Sequence, residues 1–541
     1  MAIIVFGRDI TLRPVDVFAI IAVGCALAGA FRRTRTRSKT TRLSGPARQS
    51  LLFGLLKVLH ESKDAGALYE QWAQEYGPAY TLPTPLGGSS IVLSDPKAIA
   101  HFFARESTTY VVTPLGNIFL ELMVGKGSLL GSRGDAHRRL RKALTPAFSI
   151  SAIRKYTSVF YDSAYKAKAI WDSMIESNED GTIIEVQQWM NHISLDTIGM
   201  TGSSHDFGTL DGKHADVAEV FDALTSHTPS ALFALLLLLS PVFPSLMSVP
   251  TEEINLFQKM NVSMGEISDK LLARARKEKE EGISDIQEEK SIIGLLIKAE
   301  DTGSELHMSP EEVLAQTKVL LVAGYETTSI SLTWALLELS RDQAAQGKLR
   351  EELMQLGGGD PTWDQLTSGL PYLDGVAHEI LRLHPAIEEI TRIALEDDIV
   401  PLGESMKTSS GQSVDHLSIA KGSILTIPTH AVNRSDILWG SDAKAFKPER
   451  WFVENGIPEK AKEIQGHRHL LTFIDGPRTC LGKTFALVEF KAVLSVLIKN
   501  FSFELRDGPE TKIGTARGVL PRPTVEGEDG CVLPLRVRRL D

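Results

Sequence analysis

One stretch sets the size of whatever this chain folds into. Ser309 reads as a helix N-cap, Pro310 as the first helical residue, and Glu312 completes a capping box. The helical pattern then runs unbroken to about Arg341. A rod of that length, about 48 Å at 1.5 Å per residue, crosses a whole domain. In its middle lies Ala323-Gly-Tyr-Glu-Thr-Thr328. Small residues at 323 and 324 are expected to open a groove on one face. Glu326 and Thr327 set an acid beside an alcohol within an otherwise apolar helix. A threonine hydroxyl can bond the carbonyl four residues back and distort the helix, leaving room for a ligand or a water. The plain alternative is a packing notch with an exposed glutamate.

The second constraint is Phe473-Ile-Asp-Gly-Pro-Arg-Thr-Cys-Leu-Gly482. It sets Cys480 in a tight loop bounded by glycine and proline, directly before a helix-forming run at 483–490. A sulfur there sits near a helix N-terminus, where backbone N–H groups and the helix dipole favour a thiolate. That suits a soft anionic ligand to haem iron. Gly476 and Gly482 are expected to let the backbone approach a flat macrocycle. Arg478 offers a cation to a carboxylate such as a haem propionate. A lone cysteine is otherwise most simply an inert buried residue.

The chain has 541 residues and a net charge of -10, which argues against nucleic acid as a partner. No repeat or low-complexity linker divides it, so one large domain is expected. Its three cysteines, Cys25, Cys480 and Cys531, form no CxxC pair. A disulfide framework or a structural zinc site is therefore not expected, and a reducing compartment is. Residues 17–31 are an apolar run, shorter than the roughly 20 residues of a typical span. Arg32, Arg33, Arg35 and Arg37 follow it and place the main domain on the cytoplasmic side. The expected organisation is an anchor at 1–37, a linker at 38–50 with a turn at Gly45-Pro46, and a catalytic domain at 51–541. A second apolar run at 231–239 is too short to span and reads either as a buried helix or as a rim that dips into the bilayer surface. Residues 276–290 read as a solvated charged segment. Strand signals at 91–93, 419–420 and 423–428, the last two joined by a Lys421-Gly422 turn, add a small β portion to a mainly α fold.

Three further patterns accompany the loop. Glu379 and Arg382 share a helix face in a helix ended by Pro385, with apolar flanks that suggest burial. Phe446-Lys-Pro-Glu-Arg-Trp451 supplies Arg450. Asp135-Ala-His-Arg-Arg-Leu-Arg-Lys142 supplies His137, Arg141 and a run of basic residues.

Together these motifs closely resemble the cytochrome P450 family, in order and over most of the chain, in the style of its fungal microsomal members. The cysteine loop matches F-x-x-G-x-R-x-C-x-G, although Ile474 stands where the family usually has glycine or serine. Ala323–Thr328 resembles the oxygen-activation motif, Glu379–Arg382 the K-helix motif, and 446–451 the PERF/W segment. Residues 135–142 resemble the W-x-x-x-R segment, with His137 in place of the tryptophan.

The resemblance implies the mainly α, single-domain cytochrome P450 fold behind a membrane anchor. It implies haem b with Cys480 as the axial thiolate, and Phe473, Gly476, Arg478, Gly482, His137, Arg141 and Arg392 around the cofactor. It implies Thr327 and Glu326 as the alcohol and acid of oxygen activation. Glu379, Arg382 and Arg450 become a structural triad. Arg138, Arg139 and Lys142 are expected to form a docking patch for an acidic electron donor. The implied activity inserts one atom of dioxygen into a hydrophobic small molecule, foremost a terpenoid or other secondary metabolite. Electrons would come from NADPH–cytochrome P450 reductase at an endoplasmic reticulum membrane, with the catalytic domain facing the cytosol. Xenobiotic or fatty-acid hydroxylation, a reductase-independent isomerase or peroxygenase, and a haem gas sensor are the alternatives.

Overall fold

The computed structural model describes residues 2–5, 8–11 and 39–540, apart from 177–179, 204, 216, 221–222, 224–229, 281–291, 301–302, 304, 518–519 and 529. The apolar run at 17–31, the arginines after it and most of the charged segment at 276–290 lie outside the described residues. Ala2–Val5 and Arg8–Thr11 form an antiparallel pair.

The helices that frame the site are numbered in chain order: α1 (Ala65–Tyr76), α2 (Pro96–Ala104), α3 (Gly134–Leu144), α4 (Val186–Ser203), α5 (Ala231–Leu239), α6 (Pro310–Arg341), α7 (Pro371–Leu383) and α8 (Lys483–Asn500). Helix α6 has the expected bounds. The Ser309 hydroxyl accepts the Glu312 N–H, and the Glu312 carboxylate accepts the Ser309 N–H, closing the capping box. Most of α6 is buried, in one large apolar core with α4, α7 and α8. A Cβ on Gly324 would lie 2.6 Å from Ile198 Cγ1 of α4, so this glycine seats one helix against the other. The expected groove at 323–324 is therefore opened by Ala323 alone, which is exposed.

Strands β1 (Ala79–Pro83), β2 (Ser89–Leu93), β3 (Tyr110–Val112), β4 (Ile390–Ala394) and β5 (Ile424–Ile427) form one sheet in the order β1-β2-β5-β4-β3, parallel only between β2 and β5. This sheet, helix α2 and the segment before α8 enclose a second core containing Trp439, Trp451 and Phe473. A C-terminal hairpin, β6 (Ile513–Arg517) with β7 (Pro521–Val525), packs by α6.

The structure adds two details to the sequence reading. The strands on either side of the Lys421-Gly422 turn do not pair with each other. Ser413–Ile419 pairs with Asp398–Lys407, while β5 enters the large sheet. The turn passes the chain from one sheet to the next. Residues 41–45 are also no free linker. The Thr41 N–H donates to the Ser418 carbonyl, and the Thr81 N–H to the Ser44 carbonyl, each at 2.9 Å. A Cβ on Gly45 would overlap the Thr81 carbonyl, so the chain lies tight against β1.

Candidate active site

The loop before α8 is held by its own backbone. The Cys480 N–H donates to the Phe473 carbonyl at 2.8 Å, and the Thr479 hydroxyl donates to the Gly476 carbonyl at 2.7 Å. Gly476 has φ +67°, and a Cβ there would lie 2.3 Å from the Phe103 carbonyl oxygen of α2. On the side where a Cβ would stand, its close approach is thus to protein. At Gly482 a Cβ would meet only Phe148 Cε1 at 3.7 Å, an ordinary contact, so the protein itself does not require glycine there. Ile474 takes φ +59°, a costly conformation for a β-branched side chain at the position where the resemblance led one to expect glycine or serine.

Cys480 is exposed, yet desolvation raises its thiol pKa. The two facts together describe a sulfur deep in the molecule that faces open space. The Gly482 backbone N–H and the charges of Arg141 and Lys483 pull the other way, toward thiolate. The Gly482 N–H is the kind of helix-terminus group that the sequence predicts, whereas Arg141 comes from α3.

Beside the sulfur lies an excess of positive charge. Arg392 of β4 reaches Glu106 with Nε at 2.8 Å and Nη2 at 2.5 Å. Arg478 Nε stands 4.0 Å from the same carboxylate, while its terminal nitrogens donate to the Leu130 and Ser132 carbonyls. Glu106 is fully buried, and its second oxygen has no hydrogen-bond partner, nor does Arg478 Nε. Burial lowers the Arg478 pKa to about 10; Arg392 and Arg141 push the same way and Glu106 opposes them. His137 of α3 is buried, and burial with Arg478 and Arg141 lowers it to about 4. Arg392 and Arg478 thus share the buried Glu106 carboxylate, and Arg141 adds its charge beside Arg478 and Cys480. The excess of positive charge fits an anionic group such as the propionates of haem.

Glu379, Arg382 and Arg450 come together as expected, all three buried. Arg382 grips Glu379 through two bonds of 2.9 and 2.8 Å, and Arg450 Nε lies 3.5 Å from it. Arg382 also donates to the carbonyls of Asn433, Ala443 and Ala445. Trp451 Nε1 donates to Glu379 at 3.0 Å, and Arg450 bonds Asp442. Every lone pair of this buried pair has a donor, the condition under which such a pair is stable. Sequence reasoning missed the roles of Trp451 and Asp442.

On α6 the Thr327 hydroxyl donates to the Ala323 carbonyl at 2.7 Å, the back-bond that the sequence predicts. Glu326 is not exposed. Its carboxylate meets Arg522 of β7 at 2.6 Å, with both side chains about 2% exposed. Behind them Glu489 of α8 is wholly buried, and desolvation holds its carboxyl well above the usual range against the pull of the Thr328 hydroxyl. Glu106, Arg522 and Glu489 were also missed. No local signal marks them, because each meets its partners only through the fold.

The basic run on α3 divides. Arg138 and Lys142 face outward. Arg139 does not join a docking patch: it turns inward, forming two bonds to Glu312 at the start of α6 and donating to the His307 carbonyl.

A sequence model of the cytochrome P450 family matches residues 44–526. Cytochrome P450 monooxygenase claQ of Ampulloclitocybe clavipes is 57% identical over 512 residues, covering 94% of this chain and 95% of that protein. Cytochrome P450 monooxygenase claU of the same fungus is 52% identical over 544 residues, covering 100% of both. Cytochrome P450 monooxygenase 128 of Postia placenta is 32% identical over 516 residues, covering 92% of each.

Proposed function

This chain belongs to the cytochrome P450 family and is a monooxygenase of that family; from that premise we propose that Cys480 is the axial thiolate of a haem b group. The observation that carries this reading is the Cys480 sulfur, deep yet open, beside an uncompensated cluster of arginines. Bound haem would supply the dioxygen and one-electron chemistry. The protein supplies the rest. Arg141, Arg392 and Arg478, with His137, hold the two propionates. Phe473, Gly476 and Gly482 shape the loop, and the Gly482 N–H favours the thiolate. Thr327 positions a hydroxyl over the reacting side. Glu326 carries a proton toward it once its pairing with Arg522 relaxes. Glu379, Arg382 and Arg450 hold the chain that frames the loop.

The substrate is a hydrophobic small molecule, foremost a terpenoid or other secondary metabolite, and electrons arrive from NADPH through a membrane-bound reductase. Residues 1–37 anchor the catalytic domain on the cytosolic side of the endoplasmic reticulum. Among the described residues the one helix long and apolar enough to cross a membrane is α6, which is mostly buried in the core. Anchoring therefore rests on the run at 17–31. Helix α5 supports membrane contact: Phe233 and Leu236 point inward, while Leu232 and Leu235 are exposed, as is Val242 beyond it.

The test is co-expression with a reductase in yeast, fed with sesquiterpenes, diterpenes, steroids and fatty acids, with Cys480→Ala as the control. A product heavier by one oxygen, absent from the control, establishes the activity and the substrate class. A product formed with peroxide and no reductase would overturn the electron route.

A further inference from the structure

Between α7 and the cysteine loop lies a pair of histidines, His378 buried and His467 half-buried, that none of the expected roles uses. His378 Nδ1 is 2.8 Å from the Asp374 carbonyl oxygen. A carbonyl only accepts, so Nδ1 carries the proton and Nε2 offers a lone pair. His378 Nε2 is 3.2 Å from His467 Nε2, so the latter must be the N–H that donates. The tautomers of both rings follow from one backbone oxygen. The His378 ring also packs against Trp451, 5.3 Å between centroids, and Trp451 in turn bonds Glu379.

The other side of His467 faces the loop. Its ring meets the Phe473 ring edge-on at 5.8 Å, and the Phe473 carbonyl accepts the Cys480 N–H. The segment between them stores strain: Arg468, His469 and Ile474 all have positive φ, at 54°, 64° and 59°. Such residues persist only where surrounding contacts over-determine them. Asn433 ties down Leu471 and Thr472 in the middle of the segment. His467 ties its beginning.

We propose that His467, oriented by His378, is a positioning residue for the Cys480 loop: the line from Asp374 through the two rings to Phe473 fixes where the backbone presents the sulfur. It rests on the reading of Cys480 as the axial ligand. Asp374, Arg468, Lys483 and Lys491 are the charged groups that act on the pair. Burial leads in lowering both pKa values, to about 4 for His378 and about 3 for His467, so both rings are neutral near pH 7 and the directed bond is intact.

The experiment uses the full-length holoenzyme in mild urea. It follows the thiolate-type band of the reduced carbon monoxide complex and, in parallel, the helix signal in circular dichroism. His467→Phe keeps a ring and loses the donor; His467→Gln restores an N–H at a similar reach. The thiolate band of His467→Phe should vanish about tenfold faster than that of the wild type, before the helix signal falls. His467→Gln should stay within about twofold of the wild type on the same scale. Should His467→Phe not fold, His378→Phe reads the same bridge from its other end. A phenylalanine variant that keeps the band as long as the wild type overturns the proposal. So does loss of band and helix together, or a glutamine variant as fast as phenylalanine. If the wild type itself has no thiolate-type band, or Cys480→Ala keeps one, the ligand reading fails instead, and the two failures are told apart.

Discussion

The Thr327 hydroxyl carries one proton and spends it, in this structure, on the Ala323 carbonyl at 2.7 Å. Its oxygen lone pairs remain free to accept, and the neighbouring Ala323 is exposed. A residue in that posture can hand a proton onward only if it is replaced from behind, by Glu326 or by water. Thr327→Ala removes the hydroxyl and opens no core cavity, since the side chain is only half-buried. Haem binding should therefore be unchanged. Product per NADPH consumed should fall at least about tenfold, with peroxide released in its place. Quantifying product, NADPH and peroxide in one vessel checks this; fully coupled turnover would refute the role of Thr327. The same residue illustrates what the sequence makes legible. The back-bond to position 323 is a local, i to i−4 affair, and local spacing predicts it. The partner of Glu326 is 196 positions away, so spacing along the chain carries no trace of it.

Elements inherit this division. Helix α6 was readable end to end because its caps and its period are written in consecutive residues. The turn at Lys421-Gly422 was readable, but the partners of the strands around it were not, since each joins a different sheet. The C-terminal hairpin matters most among the unread elements. Its Arg522 is the buried counter-charge to Glu326, tying β7 to the middle of α6. Removing one member of a buried pair strands the other, at a cost of about 3–5 kcal/mol. Arg522→Met should therefore lower the stability measured by urea unfolding by that order. Adding Glu326→Gln to it should recover most of the loss, because no charge is then left unpaired. Equal losses in the single and double variants would mean that the hairpin is held by packing alone.

On the scale of the whole molecule these buried groups set how stability responds to pH. His378 and His467 have folded pKa values of about 4 and 3, below the ordinary 6.5, and burial lowers His384 as well. Below pH 6.5 the unfolded chain binds protons that the folded chain refuses, so stability falls as the pH drops from about 6.5 toward 4. Asp374 and Glu338, both held below the usual carboxylate range, add a loss of the same sign at lower pH. Glu489 acts the other way. Its carboxyl stays protonated in the fold while the unfolded chain ionises above about pH 4.5, so it costs stability as the pH rises. The two trends overlap between about pH 4.5 and 6.5 and partly cancel in the wild type. Glu489→Gln separates them: the neutral amide keeps the shape and removes the opposing titration. Its advantage over the wild type in urea unfolding should grow with pH above about 4.5, reaching at least about 1 kcal/mol near pH 7. In the variant, stability should climb more steeply from about pH 4.5 to 6.5 than in the wild type, against the smaller opposition left by the desolvated carboxyls of Glu106, Glu352 and Glu389. An advantage that is flat with pH would mean that Glu489 is ionised in the fold and has found a counter-charge.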